Sequence, residues 1–249
     1  MKTIILIHGL RGTHHGLLSI AKAIPKQYKV LTPDLPGSGV RVELTDKTID
    51  GYTEWLHAYV RGLKLEQKPY IVGHSMGSII VSHYLEKYPN DTQAKAVLMS
   101  PIFRSPLSQK ASNFTFVLLN GFLHLIPQTA RRRLLASKGV SFCISHYLTR
   151  DKAKQAQIDQ LHYRYGGRFS SSRSLIADIK ISMREQTIIP SKKRIRLIIG
   201  EKDQLTSLAL ARKNAKEHNI KIDIIPNSGH LINYEQPQRV AELIVRAIV

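Results

Sequence analysis

The sequence predicts an α/β fold: a mostly parallel sheet of about six strands flanked by helices. Three observations carry this. Short Ile-, Val- and Leu-rich runs carry apolar residues on both faces, so both faces must be covered. Helix-length segments separate them, which is the order of a parallel sheet wound with crossover helices. At 249 residues the chain is long enough for one sizeable core.

The elements follow in chain order. Residues 2–7 (KTIILI) form the first strand. Residues 14–24 are helical and stop at Pro25. Residues 29–32 make a second strand, and the stretch from Asp34 to Gly39 (DLPGSG) turns the chain. Residues 48–65 place Tyr52, Trp55, Tyr59 and Leu63 at helical spacing. Residues 70–73 are a third strand, and residues 76–87 a helix that ends before Pro89. Residues 96–99, 196–199 and 220–225 are strands four to six. Residues 235–249 close the chain as a helix with Pro237 in its first turn.

One stretch breaks the alternation. Residues 102–193 are too many for a simple crossover. Helical pattern appears at 114–125, 129–137 and 151–165, and residues 172–185 read as the crossover helix itself. The expected division is a core of residues 1–101 and 190–249, with residues 102–189 as a helical cap plus that crossover. Of the formal net charge of +19, this stretch carries +12, with sixteen Lys and Arg against four Asp and Glu.

Charge of that size raises nucleic acid or an anionic membrane as partner. No aromatic-rich ribonucleoprotein motif and no helix-turn-helix pattern accompanies it, so no specific nucleic acid is expected. Arg131, Arg132 and Arg133 fit an anionic substrate or lipid surface, against the plainer reading of a solvated helix face. The lone Cys143 excludes an internal disulfide framework and a cysteine zinc site, and fits a reducing compartment; the expected location is cytoplasmic. The apolar start is short and broken by His8-Gly9, so it reads as a core strand rather than a signal peptide.

The chemistry centres on Gly73-His74-Ser75-Met76-Gly77, which follows a strand and opens a helix. In that setting the serine stands on a tight turn above the carboxyl edge of the sheet, as a nucleophile elbow. A serine nucleophile needs a base, and the base an acid to orient it. Asp203 follows the fifth strand and His230 the sixth, in the order serine, acid, histidine. Asp34 and Asp223 are weaker acids for the role, one lying before the serine and the other inside a strand. An oxyanion needs backbone donors, expected from Met76 and from Leu10 in His8-Gly9-Leu10-Arg11-Gly12. His8, Gly9 and His74 support that loop and turn. His14 and His15 lack a third ligand for a metal and read as exposed residues of a first helical turn.

Taken together, His8-Gly9-x-x-Gly12, Asp34-x-Pro36-Gly37-x-Gly39, the serine pentapeptide, Gly200-x-x-Asp203, and Ser228-Gly229-His230 followed by Glu235-x-Pro237 resemble the α/β-hydrolase superfamily. The resemblance covers about residues 1–101 and 190–249. It implies a cofactor-free, metal-free hydrolase, lipase- or esterase-like, with a cap inserted after the strand ending near Met99. It also implies a sheet lacking the usual N-terminal antiparallel hairpin. The expected substrate is a small acyl compound: a carboxylic ester, with thioesters and lactones as variants. C–C bond hydrolysis or lyase chemistry with the same triad, and a non-catalytic ligand-binding role, are the alternatives.

Overall fold

The computed structural model describes residues 1–39 and 42–249. Six strands form one sheet: β1 (Lys2–Ile7), β2 (Tyr28–Leu31), β3 (Tyr70–His74), β4 (Lys95–Met99), β5 (Arg194–Gly200) and β6 (Lys221–Ile225). Their order is β2-β1-β3-β4-β5-β6, and every neighbouring pair is parallel. All the strands therefore end at one edge, and the loops after β1, β3, β5 and β6 meet there.

Alternate side chains of each strand point to opposite faces. Ile4, Leu6, Val72, Val97 and Ile198 pack with Ile20 of α1 (Leu18–Ala23) and with Val240 and Ile244 of α11 (Pro237–Ile248). Ile5, Ile7, Ile71, Leu98 and Leu197 pack with Leu56 of α2 (Ile49–Gly62), Ile80 of α3 (Met76–Lys87) and Ala211 of α9 (Leu208–Glu217). Both faces are covered, so each strand can be apolar throughout. A short α10 (Ile232–Glu235) lies between β6 and α11.

Five helices separate β4 from β5: α4 (Pro106–His124), α5 (Gln128–Leu135), α6 (Lys138–Leu148), α7 (Gln155–Gly166) and α8 (Ser172–Arg184). The last matches the expected crossover, and its Ile181 joins the core. Two findings correct the sequence expectation. Helix α6 lies outside the helical pattern of the sequence, because KGVSFCISHYL combines a glycine with β-branched and aromatic residues of modest helix propensity. The Ser137 side chain accepts from the Val140 N–H and starts it. Helix α4 also begins earlier than its apolar segment, at Pro106, with Ser105 as its cap. Among the described residues no helix is long and apolar enough to cross a membrane.

Candidate active site

Strand β3 ends at His74, and the next residue has φ 54° and ψ −121°. That residue is Ser75, and positive φ is strained for any side chain, by about 1–3 kcal/mol. The surrounding bonds hold it there. The Ser75 N–H donates to the Met99 carbonyl at 3.0 Å, and its own carbonyl accepts from the Ser78 N–H at 2.8 Å. The flanking glycines are steric requirements. A Cβ on Gly73 would lie 2.5 Å from the Gly77 carbonyl oxygen, and one on Gly77 2.4 Å from that of Ile7. Strand and helix approach this closely only without side chains at those two positions.

The three predicted residues meet at the sheet edge. The Ser75 hydroxyl donates to His230 Nε2 at 2.8 Å. His230 Nδ1–H donates to the Asp203 carboxylate at 2.8 and 3.0 Å. Asp203 also accepts from the Leu205 and Thr206 N–H groups at 2.9 and 3.0 Å. Burial alone would raise its pKa, but the His230 ring and these donors outweigh burial and hold it below the ordinary value. The side chains of Asp203 and His230 are shut off from solvent. The His230 carbonyl accepts from His74 Nε2–H at 3.2 Å and from Ser100 Oγ at 3.0 Å. Burial first, then the nearby His230, lowers His74 to about 3, so its ring is neutral.

The loop after β1 lies against the serine. A Cβ on Gly9 would stand 2.8 Å from Ser75 Cβ. His8 Nδ1–H donates to the Gly9 carbonyl and Nε2 accepts from the Leu35 N–H, both at 2.9 Å. His8 thus ties the loop after β1 to the turn at Leu35. Burial lowers its pKa. Leu10 lines the cavity with Ser75, and among the described residues its N–H donates to no backbone acceptor. Met76 is the first residue of α3, so its N–H has no acceptor within the helix. Its side chain is fully buried.

The rival groups are engaged elsewhere. Asp223 pairs with Arg196 and Arg246. Asp34 accepts from the His14 ring at 2.9 Å and from its N–H. His14 is therefore a tethered residue rather than a merely exposed one. Among the described residues no group of three His, Cys, Asp or Glu is arranged to hold a metal ion.

A cavity of about 540 Å³ opens beside Ser75. Tyr147 and Leu148 of α6, His162 of α7 and Met183 of α8 line it opposite the loop residues of the core. Two residues have structural consequences here that the sequence patterns do not assign to them. Fully buried Glu235 accepts from the N–H groups of Gly229, Arg150 and Asp151. The Glu235-x-Pro237 pattern was its signal. Arg11 reaches from the loop after β1 to Leu135 and Ser141, a contact that no local pattern announces.

A model described as "Alpha/beta hydrolase family" matches residues 4–243. The human protein named monoacylglycerol lipase ABHD6 is 25% identical over 98% of this chain and 74% of its own length. An esterase from Thermogutta terrifontis superposes with a TM-score of 0.77 at 18% identity, covering 100% of this chain and 89% of that one. A bromoperoxidase from Bacillus anthracis superposes with a TM-score of 0.76 at 16% identity, covering 99% and 91%. At these identities the two structures speak to the fold alone.

Proposed function

The chain belongs to the alpha/beta hydrolase family and is a hydrolytic enzyme of that fold, and from this premise we propose that it cleaves carboxylic esters through an acyl-enzyme on Ser75. The observation that carries the reading is the unbroken line of hydrogen bonds from Ser75 Oγ through His230 to Asp203. Ser75 attacks the ester carbonyl while His230 Nε2 takes its proton. Asp203 fixes the Nδ1–H tautomer and stabilises the imidazolium. The Leu10 and Met76 N–H groups receive the oxyanion. The alcohol leaves with the proton from His230, which then draws a proton from water as the water attacks the acyl carbonyl. Collapse releases the acid and restores Ser75. Thioesters and lactones follow the same steps, and no cofactor or metal enters them.

Helices α4–α7 act in this reading as the cap that closes the acyl pocket, with residues 1–101 and 190–249 as the catalytic core. Labelling by a fluorophosphonate probe tests the nucleophile. Wild type should label and Ser75→Ala should not; equal labelling of both, or none of either, would remove Ser75 from the role.

A lipid surface as the place where substrate is met is a second reading, carried by α4. Phe114, Val117, Leu118, Phe122 and Leu125 recur at helical spacing and are all more than half exposed. Arg132 and Arg133 follow on α5, also exposed. An apolar stripe beside basic residues suits an anionic bilayer, and the relatives named monoacylglycerol lipase act, by that name, on a lipid. Hydrolysis of a medium-chain ester presented on neutral and on anionic vesicles, with salt titrated, tests it. Rates indifferent to both lipid charge and salt would rule this surface out.

A further inference from the structure

The cavity beside Ser75 has a charge character that ester cleavage alone does not require. Arg11 and Arg104 line it, and its described lining contains no Asp or Glu. Arg11 is 7% exposed. Its guanidinium donates to the Leu135 carbonyl at 2.6 Å and to Ser141 Oγ at 3.0 Å, and its buried Nε has no partner. The arginines that form ion pairs among the described residues are Arg196, Arg239 and Arg246. Among the described residues the Arg104 guanidinium donates to the Glu185 and Ser182 carbonyls and to no carboxylate.

A buried cation without a counter-charge is costly. The Leu135 carbonyl, at the end of α5, offsets part of that cost through the helix dipole. It leaves Nε unanswered. Four other lining residues also bury polar atoms without partners: Thr13 Oγ1, His162 Nδ1, Ser182 Oγ and Asn233 Oδ1. Folded proteins leave few such atoms, so five on the lining of one cavity mark a concentration of uncompensated polarity around the Arg11 charge. Arg11 and His162 are neighbours. The position a Cβ would take on Gly166 lies 3.0 Å from the Arg11 carbonyl oxygen and 3.5 Å from His162 Nδ1. Burial lowers Arg11 to about 10, which leaves it charged at neutral pH. Burial, and then Arg11 itself, lowers His162 to about 4, which makes it a neutral ring.

We propose that Arg11, with Thr13, His162 and Arg104 around the same cavity, forms a subsite for an anionic group carried by the ester substrate. That group is a carboxylate or a phosphate. The uncompensated charge of Arg11 draws it, beside the neutral ring of His162. Specificity for anionic esters then arises beside the oxyanion loop, since Arg11 follows Leu10 directly. The inference rests on the reading of Ser75 as the nucleophile.

The test compares kcat/KM within two matched pairs. One is mono-p-nitrophenyl adipate against the ester in which an isopropyl group replaces the carboxylate. The other is a medium-chain acyl ester of glycerol phosphate against the same ester of glycerol. The first puts the anion on the acyl side and the second on the alcohol side. In at least one pair the anionic member should be favoured by about tenfold or more, the usual scale for a charge-assisted bond in a buried site. Arg11→Gln should collapse that ratio towards one, and Arg11→Lys should restore part of it. The ratio cancels any general loss of activity. Ratios near one in both pairs overturn the proposal, as does a preference that Arg11→Gln leaves intact. Should the Arg11 variants not fold, adipate and inorganic phosphate are titrated into Ser75→Ala, where a rise in Tm is expected and its absence overturns the subsite. Fluorophosphonate labelling separates the two readings: a protein that labels at Ser75 but shows no anion preference keeps its nucleophile and loses the subsite.

Discussion

The Gly229 N–H donates to the carboxylate of Glu235 at 2.6 Å, joining the residue just before His230 to a side chain sealed in the core. The same carboxylate accepts from the Arg150 and Asp151 N–H groups that follow α6. The His230 N–H in turn donates to the Leu148 carbonyl at 2.8 Å. The histidine loop and the end of α6 are thus fastened to each other. A shift of α6 is therefore coupled to the loop of the proposed base.

Glu235→Gln should therefore destabilise the protein by about 2–4 kcal/mol, since an amide nitrogen would face one of three backbone donors. Chemical unfolding reads the loss as a lowered midpoint. An unchanged midpoint would mean that these bonds contribute nothing.

The part of this architecture visible in the sequence is the part set by local pattern. The strands were legible because a doubly covered strand has no polar face to hide, as in Leu197, Ile198 and Ile199. Ser75, Asp203 and His230 were legible because each follows a strand. Helix α6 was not, because its residues have weak helix propensity and packing with α7 decides its form. Arg11 was not, because its partners Leu135 and Ser141 lie 124 and 130 residues away. No window of sequence holds such a pair.

Gly77→Ala should fail for a steric reason. The added Cβ would sit 2.4 Å from the Ile7 carbonyl oxygen and 2.6 Å from that of His8. Both are backbone atoms leading into the loop of Leu10, so relief must move that loop. The expected cost is about 1–3 kcal/mol or more, with fluorophosphonate labelling slowed as well. Gly121→Ala is the contrast, since nothing lies within 4 Å of its Cβ position on α4. That change should be neutral or stabilising by up to about 1 kcal/mol. Thermal unfolding of the two variants side by side measures the difference.

Asp178 sets a pH dependence of stability. It is 2% exposed, and its main partner is the Tyr52 hydroxyl, which donates to it. Burial raises its pKa from 3.8 to about 7, outweighing Tyr52 and Lys47. The folded protein therefore keeps this proton across that window while the unfolded chain releases it. Its contribution to stability is fully present below the ordinary value and is lost as pH rises to about 7, with a slope of at most about 1.4 kcal/mol per pH unit. Asp178→Asn should flatten this part of the Tm-against-pH curve. Parallel curves for the two proteins would show that Asp178 does not titrate there.

Asp203→Asn tests the acid of the proposed triad and separates chemistry from folding. In the wild type the carboxylate can only accept, so His230 must present its proton from Nδ1 and leave Nε2 bare for the Ser75 hydroxyl. An amide at position 203 can donate to Nδ1. That favours the opposite tautomer, with a proton on Nε2 facing Ser75 and no base to receive its hydrogen. The fall in kcat should be on the order of 10³–10⁴, with KM changed far less. Stability should follow a different course. The folded pKa of Asp203 is depressed, so its contribution is present above the ordinary carboxylate value and lost as pH falls through the folded one. The variant should therefore be less stable than wild type at neutral pH, and the gap should close in acid. A kcat loss with neutral-pH unfolding unchanged would leave the tautomer effect standing and remove the stabilising one. Full activity in Asp203→Asn would take Asp203 out of the mechanism.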